Sequence, residues 1–316
     1  MSDILNIILP VFALIAVGYV AALTGLLKAD VGDALSRFIF VIAIPALLIK
    51  VMATADFSGA SPWALWGGYF TGVAMVWFIA RLVIMRFFGR DYRAAVIAGV
   101  SAGFSNLVLT GIPLITRAWG EEGIAILVLL VAVHMPTMML ASTLLMEHAV
   151  RADGVEKSSY NLIGLVQNII RNLLKNAIIL GLLFGILWRI TSLPFSGLPA
   201  DLIRTIGATA GPLALISIGL SLNKYGIRGN LKQASILATL SLIVMPLFVY
   251  GLTTYLFHLP PLWIKVAVLG AALPTGVNAY LFASHFKVAE GLATNTIILT
   301  IISSLVTLSF WLWVLG

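Results

Sequence analysis

Helix-breaking residues interrupt two strongly apolar stretches of this chain, residues 105–113 (SNLVLTGIP) and residues 273–280 (LPTGVNAY). Each stretch also carries an asparagine among apolar neighbours. Within a lipid bilayer every backbone N–H and C=O group needs a partner. A helix is therefore broken at membrane depth only where protein or a water-filled cavity satisfies the freed groups. Paired breaks in the two halves of a chain are typical of a transporter binding site.

The composition places the chain among polytopic membrane proteins. Its 316 residues are 61% hydrophobic and only 10% charged, with a mean hydropathy of +1.08, against about 25% charged residues in soluble domains. Cysteine is absent, which excludes disulfides, thiol catalysis and cysteine-ligated metals. The net charge of +7 comes from basic residues dispersed between apolar segments. This dispersal indicates membrane topology rather than a nucleic-acid partner.

A length of about 20 apolar residues per span predicts an all-α polytopic fold with ten transmembrane helices. The first apolar run is long enough to cross a bilayer, so we expect it to be retained rather than cleaved. Of the 19 Lys and Arg residues, 14 fall on the side of the central 147–171 loop, which predicts a cytoplasmic loop and periplasmic termini. The predicted spans lie near residues 4–23, 34–54, 62–85, 94–117, 122–146, 173–190, 202–222, 234–257, 263–285 and 292–315.

Two weak sequence similarities indicate an internal repeat. The string that begins at Pro45 (PALLI) resembles the one that begins at Pro212 (PLALI), 167 residues later, and Asn278 follows Asn106 by 172 residues. Similar offsets predict two halves of five helices each, residues 1–150 and 172–316, joined by a cytoplasmic linker, 151–171. Because each half has an odd number of helices, the second is expected to be inverted relative to the first.

The breaker residues predict that the fourth and ninth spans are each split into two half-helices. Pro113 lacks an N–H and disfavours a helical conformation at Ile112, while Gly111 tolerates backbone angles that other residues resist. Pro274 and Gly276 have the same effect in the ninth span. Kinks of this kind also serve plain helix packing in membranes, but their paired occurrence favours a binding site.

The new N-terminus of a half-helix suits an anion, because its unpaired N–H groups and its dipole both attract negative charge. The side-chain amides of Asn106 and Asn278 add further donors. We therefore expect a carboxylate to bind where the two breaks meet. The candidate substrate-binding residues are Asn106, Gly111, Ile112, Pro113, Pro274, Thr275, Gly276, Val277 and Asn278.

The same motifs resemble those of the auxin efflux carrier family, which includes plant auxin exporters and bacterial malonate and malate carriers. The resemblance covers nearly the whole chain and is most specific at the two interrupted spans. It is carried by PALL after residue 44, by Asn106 with GIP at 111–113, and by LPTGV at 273–277 with Phe282 and Ala283. The central loop is short, unlike that of many plant members, which favours a bacterial-type carrier in the inner membrane.

The resemblance implies a mechanism as well as a fold. Helices 1, 2, 6 and 7 would form a scaffold, and helices 3–5 and 8–10 would form a moving domain in an elevator-type transporter, often a homodimer. The two broken helices would cross at the substrate site. The expected function is secondary transport of a small organic anion, a dicarboxylate such as malonate or malate. The alternative within this class is an auxin-like monocarboxylate exporter. No cofactor or metal is expected, and no nucleic-acid partner.

Two basic residues within the spans are candidates for proton or substrate coupling. His134 lies midway along the fifth predicted helix, where an ionisable side chain suggests function and where imidazole suits a proton carrier. The other reading is a neutral histidine that bonds to a neighbouring helix. Lys50 lies near the outer end of the second helix, and either attracts the anion or extends to the membrane interface.

Acidic residues are absent from the sequence around both breaks. A cation antiporter that works by carboxylate protonation needs an acidic residue at its midplane site, so this class receives little support. Sodium binding by backbone carbonyls and hydroxyls stays open, because oxygen ligands need not be charged. The hydroxyls in question belong to Ser101, Ser105, Thr110 and Thr275.

One enzyme class competes with transport. Residues 99–103 (GVSAG) match the G-x-S-x-G pattern of serine hydrolases, and His134 lies on the next predicted helix. In soluble hydrolases this serine sits on a strand-to-helix turn, whereas here no strand is expected. An intramembrane serine protease would need Ser101 within hydrogen-bond reach of His134. Small residues at this spacing are also ordinary helix-packing signals, so we expect a transporter and not an enzyme.

Overall fold

The computed structural model describes residues 2–57, 59–155, 171, 175–222 and 229–316, and this part of the chain is helical apart from short connections. The first half contains α1 (Ser2–Leu23), α2 (Ala29–Phe38), α3 (Ile44–Thr54), α4 (Pro62–Phe88), α5 (Tyr92–Gly103) and α6 (Ile112–Ala152). The second half contains α7 (Ala177–Ile190), α8 (Gly197–Ala208), α9 (Ala210–Leu222), α10 (Leu231–Thr239), α11 (Met245–Gly251), α12 (Pro261–Ala271), α13 (Asn278–Phe286) and α14 (Glu290–Leu315). Four π-helical turns lie at Ile39–Ala43, Leu107–Gly111, Leu240–Val244 and Leu252–Leu256.

Seven helical segments of the described chain are long and apolar enough to cross a membrane. The all-α, membrane-spanning class is thereby confirmed, whereas the count of ten spans and the inverted repeat stay predictions. Two shorter apolar helices, α7 and α12, fall below the length of a full span. The seven segments are Ile4–Leu23, Asp30–Thr54, Pro62–Phe88, Leu107–Ala152, Gly197–Leu222, Leu231–Leu256 and Glu290–Leu315.

The longest segment, Leu107–Ala152, is divided by a kink. Its 46 residues would extend about 70 Å as one straight helix, more than twice the hydrocarbon thickness of a bilayer. The chain bends at Trp119 (φ −138°) and Gly120 (φ +59°, ψ −143°). Only glycine adopts the angles at Gly120 without strain. One helical segment thus holds both the end of the fourth predicted span and the whole of the fifth.

The first break lies upstream of the residues from which it was predicted. Helix α5 ends at Gly103, and Phe104 (φ −93°, ψ 84°) and Asn106 (φ −81°, ψ 64°) are the non-helical residues that follow. The expectation of non-helical backbone at Ile112 is wrong, since Ile112 has φ −55° and ψ −56°. Pro113 lies in the first turn of α6, where a missing N–H costs no intrahelical hydrogen bond.

The second break falls where the sequence predicts it. Helix α12 ends at Ala271, and α13 begins at Asn278, so that the interval contains Pro274 and Gly276.

Of the predicted linker 151–171, only residues 151–155 and 171 belong to the described chain. The domain boundaries therefore remain predictions.

The helices pack in two groups. Helix α1 lies along α9, and α3 packs against both α7 and α8, whereas α4 packs against α5 and α11, and α10 against α14. Glycines permit the closest approaches in the first group. A Cβ atom built on Gly18 would lie 2.1 Å from the carbonyl oxygen of Ile216, and one on Gly219 would lie 2.0 Å from the carbonyl oxygen of Ile15. Helices α1 and α9 therefore touch backbone to backbone.

Replacement of Gly219 by alanine tests this contact. We expect Gly219→Ala to lower the free energy of unfolding by about 1–3 kcal/mol, because the added methyl group must push α1 and α9 apart. Thermal unfolding of the purified protein measures the change. Gly251→Ala is the matched control, since this glycine has helical angles (φ −59°, ψ −45°) and no atom within 4 Å of an added Cβ. Equal melting temperatures for the two variants would contradict the packing argument.

Candidate functional site

The two broken helices cross and pair through their backbones. The N–H of Asn106 donates to the carbonyl oxygen of Pro274 at 2.9 Å, and the N–H of Gly276 donates to that of Phe104 at 2.8 Å. These reciprocal hydrogen bonds form an antiparallel bridge between Ser105 and Thr275. Each break therefore supplies the partners that the other break requires, which is the condition for non-helical backbone within a membrane.

Hydroxyl groups hold this crossing against the neighbouring helices. Thr275 Oγ1 donates to the carbonyl oxygen of Ser101 at 2.7 Å, and the Thr275 N–H donates to Thr300 Oγ1, on α14, at 3.1 Å. Ser105 Oγ donates to the carbonyl oxygen of Ala271 at 3.4 Å. The crossing is thus tied by hydrogen bonds to α5, α12 and α14.

Asn106 caps the helical turn that follows it. Its Oδ1 accepts a hydrogen bond from the N–H of Leu109 at 3.1 Å, and its backbone carbonyl accepts from Thr110 and Gly111. The oxygen atoms of Asn106 are therefore engaged locally. Its side-chain Nδ2 group, a donor, is the end left for a ligand.

The second break presents the N-terminus of α13. The N–H groups of Ala279, Tyr280 and Leu281 donate to the carbonyl oxygens of Gly276 and Val277. The N–H groups of Val277 and Asn278 precede these bonds and belong to the open end of the helix. The side-chain amide of Asn278 adds a further donor at the same position.

A cavity of about 430 Å³ lies on one side of the crossing. Its polar wall residues are basic or amide-bearing apart from one serine, and no acidic residue is among the described residues that line it. A volume of this size fits a small organic ligand, and the donor-rich wall favours an anion. The polar wall residues are Ser105, Asn106, His134, Lys175, Asn176 and Asn278. We call this space the crossover cavity.

A second cavity, of about 470 Å³, adjoins the crossover cavity. The two share Phe40, Asn106, Val277 and Leu281. Thr275 lines the second cavity only, together with Arg37 and Asp33 of α2. Asn106 and Val277 therefore stand at the junction of two chambers.

The remaining predicted site residues lie away from both chambers. Ile112 and Pro113 line a separate cavity of about 320 Å³. Gly111 is buried, and a Cβ atom there would lie 2.8 Å from the side chain of Leu273. The structure thus brings Asn106, Thr275 and residues 276–278 together, while Pro274 lies buried in the crossing itself.

The two coupling candidates occupy different places. His134 lines the crossover cavity and is only 3% exposed, and its ring lies 4.9 Å from the ring of Phe104, edge to face. Its Nε2 atom has no hydrogen-bond partner. Lys50 lines none of the three cavities described above, and its Nζ forms an ion pair with Glu121 just beyond the bend in α6. Both roles remain predictions.

The catalytic pair that a protease requires is not formed. Ser101 Oγ and His134 Nε2 are both buried, and neither has a hydrogen-bond partner. A serine becomes a nucleophile only beside a base that accepts its proton. The G-x-S-x-G pattern here lies in α5, where its small residues allow close packing. A Cβ atom on Gly99 would lie 1.9 Å from the indole ring of Trp77.

Comparison with known proteins assigns the family. The family described as "Membrane transport protein" matches residues 3–312, nearly the whole chain. The chain belongs to this family of membrane transporters. It is the auxin efflux carrier family that the crossover motifs resemble, so that prediction is confirmed.

Two relatives within the family align along the full length. A protein of Methanothermobacter thermautotrophicus named "Uncharacterized transporter" is 25% identical over 311 residues, which cover 96% of each chain. A protein of Rhizobium meliloti named "Putative malonate transporter" is 26% identical over 327 aligned positions, which cover 100% of this chain and 97% of the relative. Both names indicate a transporter rather than an enzyme.

Sequence reasoning missed two polar residues of the crossover cavity, Lys175 and Asn176. Both precede α7, and in the sequence Lys175 counts only as one more positive charge at a cytoplasmic loop. They reach the cavity because α7 packs against α3 and begins beside α6. Asn176 Nδ2 lies 3.6 Å from the sulfur of Met135, the neighbour of His134. An asparagine followed by apolar residues is typical of the start of a helix, and this pattern at Asn176 was the local signal in the sequence.

The capping geometry separates two roles of Asn106. In Asn106→Asp the side chain still accepts from Leu109 but loses its donor and gains negative charge, so we expect near-native stability and at least about tenfold weaker anion binding. Asn106→Ala loses the cap as well, which costs about 1 kcal/mol. Thermal unfolding and ligand titration of both variants measure the two effects. Native anion affinity in Asn106→Asp would remove this amide from the site.

Proposed function

We propose that this protein is a secondary transporter of small organic anions, with a dicarboxylate such as malonate as its substrate. One observation carries the proposal. The crossover cavity combines the open N-terminus of α13, three asparagine amides and one lysine, with no acidic residue among its described wall residues. Helix ends and amides bind a carboxylate without any other charged group. The family membership and the name of the Rhizobium relative support the same class.

The proposed mechanism is an elevator-type exchange between two bodies. The packing supports one group made of α1–α3 and α7–α9, the scaffold, and a second group made of α4–α6 and α10–α14, the moving domain. The crossing lies in the second group and is tied by hydrogen bonds to α5, α12 and α14. Movement of this group against the scaffold would expose a bound carboxylate to each side in turn.

The proposed inverted repeat receives support from the pattern of contacts. With ten spans, helix 1 corresponds to helix 6 and helix 2 to helix 7. The contact of α1 with α9, between helices 1 and 7, then corresponds to the contact of α7 with α3, between helices 6 and 2. The two hydrogen bonds of the crossing are likewise exchanged by a twofold rotation. From the distribution of Lys and Arg and the family membership we also propose a bacterial inner-membrane location with periplasmic termini, in a homodimer.

Coupling to protons is proposed at His134. His134 and Lys175 are the two titratable side chains among the described residues that line the crossover cavity. The cage of Tyr69, Phe70 and Phe104 around its ring shields it from bulk solvent. A protonated imidazole there would accompany the anion, whereas a neutral one would serve only packing.

A ligand-stabilisation screen tests the function. A ligand that binds only the folded state raises the apparent melting temperature. We expect malonate and related dicarboxylates to stabilise the purified protein, and Asn278→Ala to bind them about tenfold more weakly because a donor to the carboxylate is lost. Screens with and without sodium, and at two pH values, report the coupling ion.

The control for this screen is Asn6→Ala. Asn6 is exposed on α1 and lines none of the three cavities described above, so its replacement should leave affinity unchanged. A protein stabilised only by monocarboxylates such as indole acetate would favour the auxin-like exporter. Unchanged malonate affinity in Asn278→Ala would place the anion elsewhere.

Cross-linking tests the movement of the two bodies. Lys50 and Glu121 form an ion pair between α3 of the scaffold and α6 of the moving domain. Because the chain has no cysteine, Lys50→Cys with Glu121→Cys provides a unique thiol pair. We expect a cleavable bifunctional thiol reagent to stop transport in proteoliposomes, and reduction of the linker to restore it.

The matched control places both thiols in one body. Asp201 and Arg204 form an ion pair within α8, so cross-linking Asp201→Cys to Arg204→Cys should leave transport intact. Full transport by completely cross-linked Lys50→Cys, Glu121→Cys protein would contradict an elevator movement across this contact.

A further inference from the structure

The crossover cavity contains one strongly basic side chain among its described wall residues, Lys175. The described residues that line the cavity include no Asp or Glu, and Lys175 takes part in none of the ion pairs formed within the described chain. A lysine that faces a ligand-sized space without a counter-ion favours an anionic ligand. The positive charge of Lys175 is therefore complementary to a negatively charged group of a ligand in this cavity.

Lys175 lines the cavity directly before the start of α7. Asn176 Oδ1 accepts from the N–H of Ile178 at 2.9 Å and so caps the helix, while its Nδ2 contacts the sulfur of Met135 on α6. Lys175 comes directly before this cap. The positive end of the α7 dipole therefore adds to the lysine charge at the same place.

A buried polar side chain also lines this cavity. His134 lines the cavity, is 97% buried, and has an Nε2 atom without a hydrogen-bond partner. Buried polar groups without partners are rare in folded proteins and call for a ligand or a water. The cavity thus has two polar regions, one at Asn106 and Asn278 of the crossing, the other at Lys175 and Asn176 beside α6.

Apolar residues complete the wall. They include Val131, Ile178, Ile179 and Leu281. A ligand with a short hydrocarbon segment and two anionic ends matches this distribution, whereas a monocarboxylate leaves the lysine without a partner. Lys175 is exposed, so water solvates it when no carboxylate is near. A second carboxylate adds a charge-assisted contact that a monocarboxylate cannot make.

We propose that Lys175 binds the second carboxylate of the substrate and thereby selects dicarboxylates over monocarboxylates. This inference rests on the proposed function, because it assumes that the first carboxylate binds at the crossing. It adds the substrate class and the residue that determines it.

The test compares dicarboxylates with their monomethyl esters. Malonate, succinate and glutarate are titrated at constant ionic strength into wild-type protein, Lys175→Gln and Lys175→Arg. Calorimetry measures the affinity in each titration. We expect Lys175→Gln to bind the dicarboxylates at least about tenfold more weakly, because a charge-assisted contact is lost. Binding of the monomethyl esters should not change, and Lys175→Arg should recover most of the dicarboxylate affinity. Unchanged ester binding also shows that the variant is folded.

Two controls separate a contact from a general field effect. Sulfate is a compact dianion without a second carboxylate, so Lys175→Gln should change its affinity much less than that of the dicarboxylates. Lys232→Gln removes an exposed lysine of α10, away from the cavity, and should bind all ligands as wild type does.

The outcomes distinguish the two proposals. Equal losses for diacid, ester and sulfate, or no loss for the diacid, would overturn the role of Lys175 while leaving the transport proposal standing. A wild-type protein that binds neither diacids nor monoesters would overturn the proposed function, and the role of Lys175 with it.

Discussion

The structure depends on the pair of backbone hydrogen bonds between Phe104–Asn106 and Pro274–Gly276. A helix can be broken in a bilayer only if the freed amides and carbonyls find partners. Here each break finds them in the other. Neither broken helix is stable alone, since each leaves polar backbone groups unpaired in an apolar surrounding. The site is therefore formed by tertiary contact, and the elements that carry it (α5, α6, α12 and α13) are bound together by the same interaction that opens the helix ends.

The sequence predicts the fold class and one break well, and the other break only approximately. Pro274 and Gly276 mark the second break because both lie in non-helical backbone. Pro113 misleads, since a proline in the first turn of a helix is compatible with helical angles at Ile112. The decisive event in the first half is the end of α5 at Phe104, whose carbonyl oxygen pairs with the N–H of Gly276. That contact joins residues 172 positions apart, and the local sequence around Phe104 does not predict it.

The residues of the candidate site, like the two breaks, could be predicted from the sequence only in part. Asn106 and Asn278 stand out as polar residues within apolar sequence, and the structure places both in the wall of one cavity. Lys175 does not stand out, because a lysine at the start of a span is also what topology requires. Its position follows from the packing of α7 against α3. That packing depends on Gly181, where a Cβ atom would lie 2.8 Å from Pro45 Cα. From the sequence, Pro45 serves only as evidence of an internal repeat. In the structure the same residue forms a contact that positions the site.

The division of the cavity wall between two bodies has an energetic consequence for the proposed mechanism. Asn106 and Asn278 belong to the group of helices that would move, whereas Lys175 precedes α7, which packs against the scaffold helix α3. A carboxylate at the crossing keeps its contacts throughout the movement, because its partners travel with it. A carboxylate at Lys175 keeps its contact only while the two bodies stand as they do here. The affinity for a dicarboxylate then differs between the two end states by the strength of that one contact, which for a charge-assisted hydrogen bond is about 1.5–3 kcal/mol. Since a ligand shifts a conformational equilibrium only through its differential affinity, a dicarboxylate would stabilise this state and a monocarboxylate would not. The residue that selects the substrate would thereby also set which side of the membrane holds it more tightly.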